Sequence, residues 1–174
     1  MSSAVRLQQY IRAIPDFPKP GIVFRDITPL LAAPDALREA IQRMGQPFVD
    51  QGITKIAAAE ARGFLFGVAM AIDLNVGFVP VRKPGKLPHE TIEASYELEY
   101  GTDTLEIHAD AFREGDRVLI VDDLLATGGT LAACVDLVRR TGAEVAGCSC
   151  LIELPDLDGR SKLDGVDVTC LMSY

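Results

Sequence analysis

One run, VLIVDDLLATGGT at residues 118–130, restricts the fold more than any other stretch of this 174-residue chain. Four apolar residues of strand character lead into Asp122 and Asp123. Leu124, Leu125 and Ala126 follow, then Thr127, Gly128, Gly129 and Thr130, where a helical pattern begins. A buried strand that turns through glycines into a helix belongs to an α/β sheet, and such a turn makes an anion site. Gly128 and Gly129 tolerate positive φ, so successive N–H groups can converge on a phosphate while the helix N-terminus adds partial positive charge. Thr127 and Thr130 add hydroxyl donors, and residues 126–130 are therefore predicted to hold a phosphate. The two carboxylates repel that phosphate unless they bind hydroxyls or a metal ion. The vicinal hydroxyls of a ribose suit Asp122 and Asp123, and hard carboxylate oxygens also suit Mg²⁺, which keeps water and substrate phosphates in its shell. The predicted ligand is a ribose 5-phosphate. The loop has no lysine for GxxxxGK[ST] and does not match GxGxxG, which disfavours a P-loop nucleotidase and a dinucleotide dehydrogenase.

The rest of the chain supplies the alternation that such a corner needs. Spaced apolar positions predict amphipathic helices near residues 4–14 and over 34–50, with Leu37, Ile41, Met44 and Phe48 on one face of the second. Short apolar runs predict strands over 53–59, 76–81, 118–121, 144–151 and 166–171, and helices over 63–74 and 130–141. Strands separated by helices imply a parallel sheet with right-handed crossovers and ligands at the carboxyl ends of the strands. Residues 82–114 differ: 91–96 and 104–108 alternate about a Gly101 turn, the pattern of a mobile antiparallel flap. Pro15, Pro18, Pro20 and Gly21 punctuate the N-terminal part, read as a small hood over residues 1–33 within a single domain spanning 1–174.

Composition narrows the partners. The formal net charge of -8 argues against a broad nucleic-acid or anionic-membrane surface, so a phosphate must be met by a local cluster. The N-terminal stretch lacks the apolar core of a signal peptide and no run approaches the length of a membrane helix, which predicts a cytoplasmic protein. Cys134, Cys148, Cys150 and Cys170 form no CxxC pair, and His89 and His108 have no metal-ligand spacing, so no zinc site is expected. Cys148 and Cys150, two apart in an apolar run, are predicted to pack in the core.

The 118–130 run resembles the phosphoribosyl-pyrophosphate signature of the type I phosphoribosyltransferases. Four further segments are similar to the members of that family that act on adenine: FPKPGIVFRDITPLL at 17–31, EARGFLFG at 60–67, VPVRKPGKLP at 79–88 and SYELEYGTDTLEIH at 95–108. The resemblance covers about residues 10–155. It implies the type I fold, a central parallel sheet flanked by helices with a flexible antiparallel flap and a small N-terminal hood. It also implies a Mg²⁺-dependent reaction in which adenine and 5-phospho-α-D-ribose 1-diphosphate (PRPP) give AMP and diphosphate, in a homodimer.

The resemblance also distributes roles. Glu99 is implied as the acid/base group exchanging a proton with adenine, with Tyr100 closing beside it. Arg62, in EARGF, is implied to grip the pyrophosphate, and Arg82, Lys83 and Lys86, the densest basic cluster of the chain, are placed to assist. Val23, Phe24 and Arg25 are expected to read the adenine edge and cover its face, with Leu154 on the opposite face. Each has an ordinary alternative: Arg62 as a surface charge, RKPGK as a solvated turn, Glu99 as one of several flap acids, Phe24 and Leu154 as core. Mg²⁺ is expected to be held mainly by substrate and water, with Asp122 and Asp123 the candidate protein ligands. Two other functions are open to this sequence. A phosphoribosyltransferase for xanthine, hypoxanthine or guanine usually calls for a lysine or acid facing the exocyclic oxygen, where this chain has PGIVFRD. A non-catalytic nucleotide-sensing regulator calls for an added DNA-binding unit or a basic face.

Overall fold

The structure, a computed structural model, describes residues 6–97 and 101–174. They fall into two compact units, one ending at residue 43 and the other beginning at residue 44.

The first unit holds a 3-10 turn at Leu7–Tyr10, strands β1 (Arg12–Pro15) and β2 (Val23–Asp26), helix α1 (Thr28–Ala32) and most of helix α2 (Pro34–Gly45). Among the described residues of the stretch near 4–14, from residue 6 on, the predicted amphipathic helix is absent: after the 3-10 turn the chain extends and pairs antiparallel with β2, from Arg12 opposite Asp26 to Pro15 opposite Val23. Hairpin pairing overrides the local apolar spacing here, and the turn chemistry explains why. Asp16 adopts a left-handed φ of 56° and its Oδ1 accepts the Gly21 amide at 2.8 Å, closing the loop between the strands. Asp26 then starts α1 by accepting the Thr28 amide and hydroxyl, both at 2.9 Å, and these bonds hold its carboxyl below the usual range. Helix α2 begins on Pro34 with Asp35 in its first turn. It stops at Gly45 rather than reaching Asp50, because Pro47 has no amide hydrogen and disfavours helical geometry at Gln46; residues 46–48 tighten into a 3-10 turn.

The second unit contains β3 (Lys55–Ala59), α3 (Arg62–Asp73), β4 (Gly77–Val81), β5 (Thr91–Glu97), β6 (Thr102–His108), β7 (Arg117–Leu125), α4 (Gly129–Arg140), β8 (Glu144–Glu153) and β9 (Val168–Ser173). Five of the strands form a parallel sheet in the order β4-β3-β7-β8-β9. The two-residue side-chain period of a strand sorts its faces. Ala57 and Ala59 of β3 join Val118 and Ile120 of β7 in one cluster with Leu131, Val135 and Leu137 of α4, whereas Ala58 faces α3 at Gly67. Both faces of the sheet are thus buried, as the unbroken apolar runs of its strands require. Cys148 and Cys150 share the α4 face, and burial pushes the Cys148 thiol up to about 12.

The antiparallel pair β5 and β6 matches the predicted flap, with Thr91 opposite His108 and Glu97 opposite Thr102. Its stem belongs to the core: Ala94, Leu105 and Ile107 are buried in the α4 cluster, and an Arg140 guanidinium nitrogen donates to the Glu93 carbonyl. At the opposite end of the sheet Asp116 is buried. Burial alone raises its pKa, but the Lys55 ammonium at 2.9 Å and the donors of Arg113 and Thr54 outweigh that and hold it below the usual range.

Candidate active site

The order β4-β3-β7-β8-β9 places the reversal of strand order between β3 and β7, where an open α/β sheet leaves a crevice at its carboxyl end. Strand β7 outruns β3: its pairing with β3 ends at Val121, whereas its pairing with β8 continues to Leu125 opposite Glu153. The predicted strand over 118–121 is therefore longer, Arg117–Leu125, and the two aspartates lie inside it rather than beyond it. They stand at the point where the neighbouring strand has turned away into α3.

A cavity of about 180 Å³ opens there, lined by Arg62 and the unbroken run 122–131. It gathers the predicted sugar-phosphate residues, Asp122, Asp123, Ala126, Thr127, Gly128, Gly129 and Thr130, with one of the predicted pyrophosphate residues, Arg62. Gly128 sits at the N-cap of α4 with φ 78°, a left-handed conformation that favours glycine, and its lack of a side chain leaves the first amides of α4 for an external acceptor. The walls carry opposed charges. Asp123 is buried, and its Oδ2 lies 3.1 Å from Arg62 Nε, while the Asp123 amide donates to Asp122 Oδ1 at 2.8 Å. Burial is the main cause that raises both carboxyls above the usual range; the proximity of Asp123 raises Asp122 further, and Arg62 partly offsets the rise at Asp123. Such a pair gains from hydroxyl donors or a cation brought by a ligand.

Arg82, Lys83 and Lys86 do not line this cavity. Arg82 and Lys83 follow β4, and acids hold them in place: Arg82 Nε meets Glu60 Oε2 at 2.8 Å, Lys83 Nζ meets Asp103 Oδ2 at 3.0 Å, and Arg82 also donates to the Lys86 carbonyl at 3.4 Å. Lys86 is exposed. Glu60 closes the loop that ends in Arg62, so this basic edge and the cavity share one connection. Leu154 is half-buried and donates its amide to the Leu125 carbonyl at 2.9 Å, outside the cavity lining. In the first unit, Val23, Phe24 and Arg25 lie on β2; Val23 is exposed, and the Phe24 ring packs edge-on against Phe17 with centroids 5.2 Å apart. Glu99 and Tyr100 lie outside the described residues.

Two contributions escaped the sequence reading. The Thr130 hydroxyl donates to the Tyr96 hydroxyl at 3.4 Å, and Tyr96 donates to Asp103 at 3.4 Å, which ties the flap to the phosphate loop and to Lys83. The flap motif SYELEYG contains Tyr96, but its partner is 34 residues away. The second contribution is Gly159, whose backbone abuts residues 126–128. Its signal in the sequence is a single glycine in a polar turn, which is no signal at all.

Comparison with known proteins agrees with this geometry. The family described as phosphoribosyl transferase domain matches residues 26–172. The adenine phosphoribosyltransferase of Francisella philomiragia is 58% identical over 170 residues, covering 97% of each chain. The crystal structure of adenine phosphoribosyltransferase from Thermoanaerobacter pseudethanolicus superposes with a TM-score of 0.93 at 55% identity, covering 97% of this chain and 98% of that one. That of the Saccharomyces cerevisiae enzyme, complexed with an imino-altritol bisphosphate and adenine, superposes with a TM-score of 0.90 at 42% identity, covering 95% and 96%. By both its sequence and its sheet, the chain belongs to the phosphoribosyl transferase family, within its adenine phosphoribosyltransferase branch.

Proposed function

We propose that the chain transfers the phosphoribosyl group of PRPP to adenine, giving AMP and diphosphate in purine salvage. The observation that carries this reading is the meeting, at one strand end, of a carboxylate pair suited to a ribose diol and an amide-rich loop suited to its 5-phosphate. The base comes from the relatives, which are named adenine phosphoribosyltransferases, and from the yeast relative's complex with adenine.

In the reaction, adenine N9 forms a bond to C1 as the C1–O bond to diphosphate breaks. The electron pair leaves with diphosphate, and the N9 proton passes to a base. Loop residues 126–130 hold the 5-phosphate, while Asp122 and Asp123 accept hydrogen bonds from the ribose hydroxyls and so aim C1. Arg62, Arg82 and Lys83 exchange their carboxylate partners for oxygens of the departing diphosphate, where negative charge grows in the transition state, and the exposed Lys86 adds a further cation. Val23, Phe24, Arg25 and Leu154 hold the base, Glu99 takes its proton, and Tyr100 closes over the reacting atoms. Mg²⁺ carried on the diphosphate would neutralise the leaving group, with Asp122 and Asp123 the residues that would hold it. Among the described residues no group of three or more His, Cys, Asp or Glu is placed to hold a metal ion.

A direct assay tests the reading. With Mg²⁺ and PRPP, adenine is expected to give AMP, and hypoxanthine, guanine and xanthine no nucleotide, as read by chromatography. No AMP from adenine sinks the reading, and product from an oxopurine alone moves it to another purine.

The chain is further proposed to act as a cytoplasmic homodimer without nucleic-acid or membrane partners. Among the described residues no helix is long and apolar enough to cross a membrane. Leu65, Val68 and Ile72 of α3 are 48%, 41% and 75% exposed and line one side of the helix, an apolar stripe suited to a second copy. In such a dimer, part of the RKPGK cluster reaches the neighbouring site. Light scattering on the purified protein is expected to give twice the chain mass, falling toward one chain mass in Ile72→Glu; a wild-type monomer overturns the dimer.

A further inference from the structure

Gly159 has no conformational need to be glycine. It opens the 3-10 turn Gly159–Lys162, and the left-handed φ in this turn, 49°, belongs to Asp158 rather than to Gly159. What excludes a side chain is the wall in front of it. A Cβ on Gly159 would lie 2.7 Å from Leu125 Cδ1 and 3.0 Å from the Gly128 amide nitrogen, and closer still to the Ala126 carbonyl oxygen. The relation is mutual: a Cβ on Gly128 would lie 3.0 Å from the Gly159 carbonyl carbon and closer to its oxygen. Two backbones therefore meet with no room for a methyl group, and one of them is the loop that ends in the first amides of α4.

The wall is held from the sheet and not from the loop. Arg160 grips Glu153 of β8 in a two-pronged ion pair, Nε to Oε1 at 2.6 Å and its second guanidinium nitrogen to Oε2 at 2.8 Å. Its remaining nitrogen donates to the Val168 carbonyl of β9 at 2.8 Å. This planar three-point grip fixes the position of the preceding residue more closely than a single ammonium could. Arg160 is also the main cause that holds the Glu153 carboxyl below its usual range.

We infer that Gly159, fixed by the Arg160–Glu153 clamp, is a positioning residue that sets the placement of the Gly128 amide and hence the affinity of the loop for the 5-phosphate. It touches no substrate; it acts by leaving the loop one position to occupy. The inference rests on the phosphoribosyltransferase reading, and ribose 5-phosphate separates the two claims. Wild-type protein that fails to bind ribose 5-phosphate in calorimetry removes the reading itself. With wild-type binding established, Gly159→Ala is expected to weaken ribose 5-phosphate binding by roughly 10- to 100-fold, the scale of a sub-ångström to 1 Å displacement of a binding group. The number of sites per folded chain stays at one, KM for PRPP rises in parallel, and KM for adenine and kcat stay within about threefold. A merely structural role instead lowers the fraction of active sites at wild-type affinity, and that result overturns the inference. Should Gly159→Ala not fold, Arg160→Met decides, because it releases the clamp without adding a clash. A folded Arg160→Met protein that binds ribose 5-phosphate several-fold more weakly, with partial recovery in Arg160→Lys, supports the inference; wild-type affinity overturns it.

Discussion

Replacing Glu99 by Gln lowers turnover by roughly 10²- to 10⁴-fold while PRPP still binds, the range expected when one acid/base group is removed and charge-independent contacts remain. Adenine gains a ribosyl bond at N9 and must lose a proton in the same reaction. A carboxylate facing the imidazole edge accepts that proton, whereas the isosteric amide cannot. In the sequence Glu99 falls between β5 and β6, and under the proposed mechanism closure of that segment over the site would keep water from the activated C1 and so prevent hydrolysis. Stopped reactions with saturating PRPP and adenine measure kcat, and calorimetry with PRPP alone measures binding. An unchanged kcat removes Glu99 from the proton path and directs attention to the other flap acids, Glu93 and Glu97.

Asp122→Asn is expected to move stability and affinity in opposite directions. In the ligand-free protein both carboxyls of the pair are raised, chiefly by burial. A carboxyl whose folded pKa exceeds its unfolded value favours the folded state most when protonated. Stability is therefore highest below the unfolded carboxylate range and declines as pH rises through the raised folded value. Asn removes that decline at residue 122 and relieves Asp123, and its amide oxygen can still accept the Asp123 N–H. The variant should gain about 1 kcal/mol at neutral pH, typical of relaxing a position constrained by function, or about 2–4 °C in Tm, with the gain closing as pH falls. Its affinity for PRPP should fall by roughly 10- to 150-fold, since charge-assisted hydrogen bonds are worth about 1.5–3 kcal/mol. Thermal unfolding across pH without ligand, paired with calorimetry, gives both numbers. A lower Tm with unaltered affinity contradicts the role of Asp122 as a ribose ligand.

Local chemistry made much of this molecule legible before any coordinates. The parallel strands announce themselves as unbroken apolar runs, α3 and α4 by length and periodicity, and the flap by alternation about Gly101. The phosphate loop is a contiguous peptide, so its glycines, hydroxyls and carboxylates are adjacent in the sequence and in space alike. Where the reading failed, a longer-range contact outweighed local pattern. Residues 12–15 carry helical spacing but pair with residues 23–26, because a closed hairpin satisfies their backbone groups. Pro47 cut α2 short of its predicted end, a local rule that the apolar periodicity concealed.

The α/β class, the carboxyl-end location of the site and the chemical kind of its ligand each depend on residues that are neighbours in the chain, and so are written in local patterns of residue type. The charge balance and bracing of the site arise from the folding of distant segments onto one another, and the folded chain shows them. It paired Arg62 with Asp123, Arg82 with Glu60 and Lys83 with Asp103, it ran β7 past β3 so that both aspartates face a crevice, and it set Gly159 against Gly128. Those relations join residues about 20 to 60 positions apart, and their energies depend on distance and burial, which no local pattern of residue types encodes.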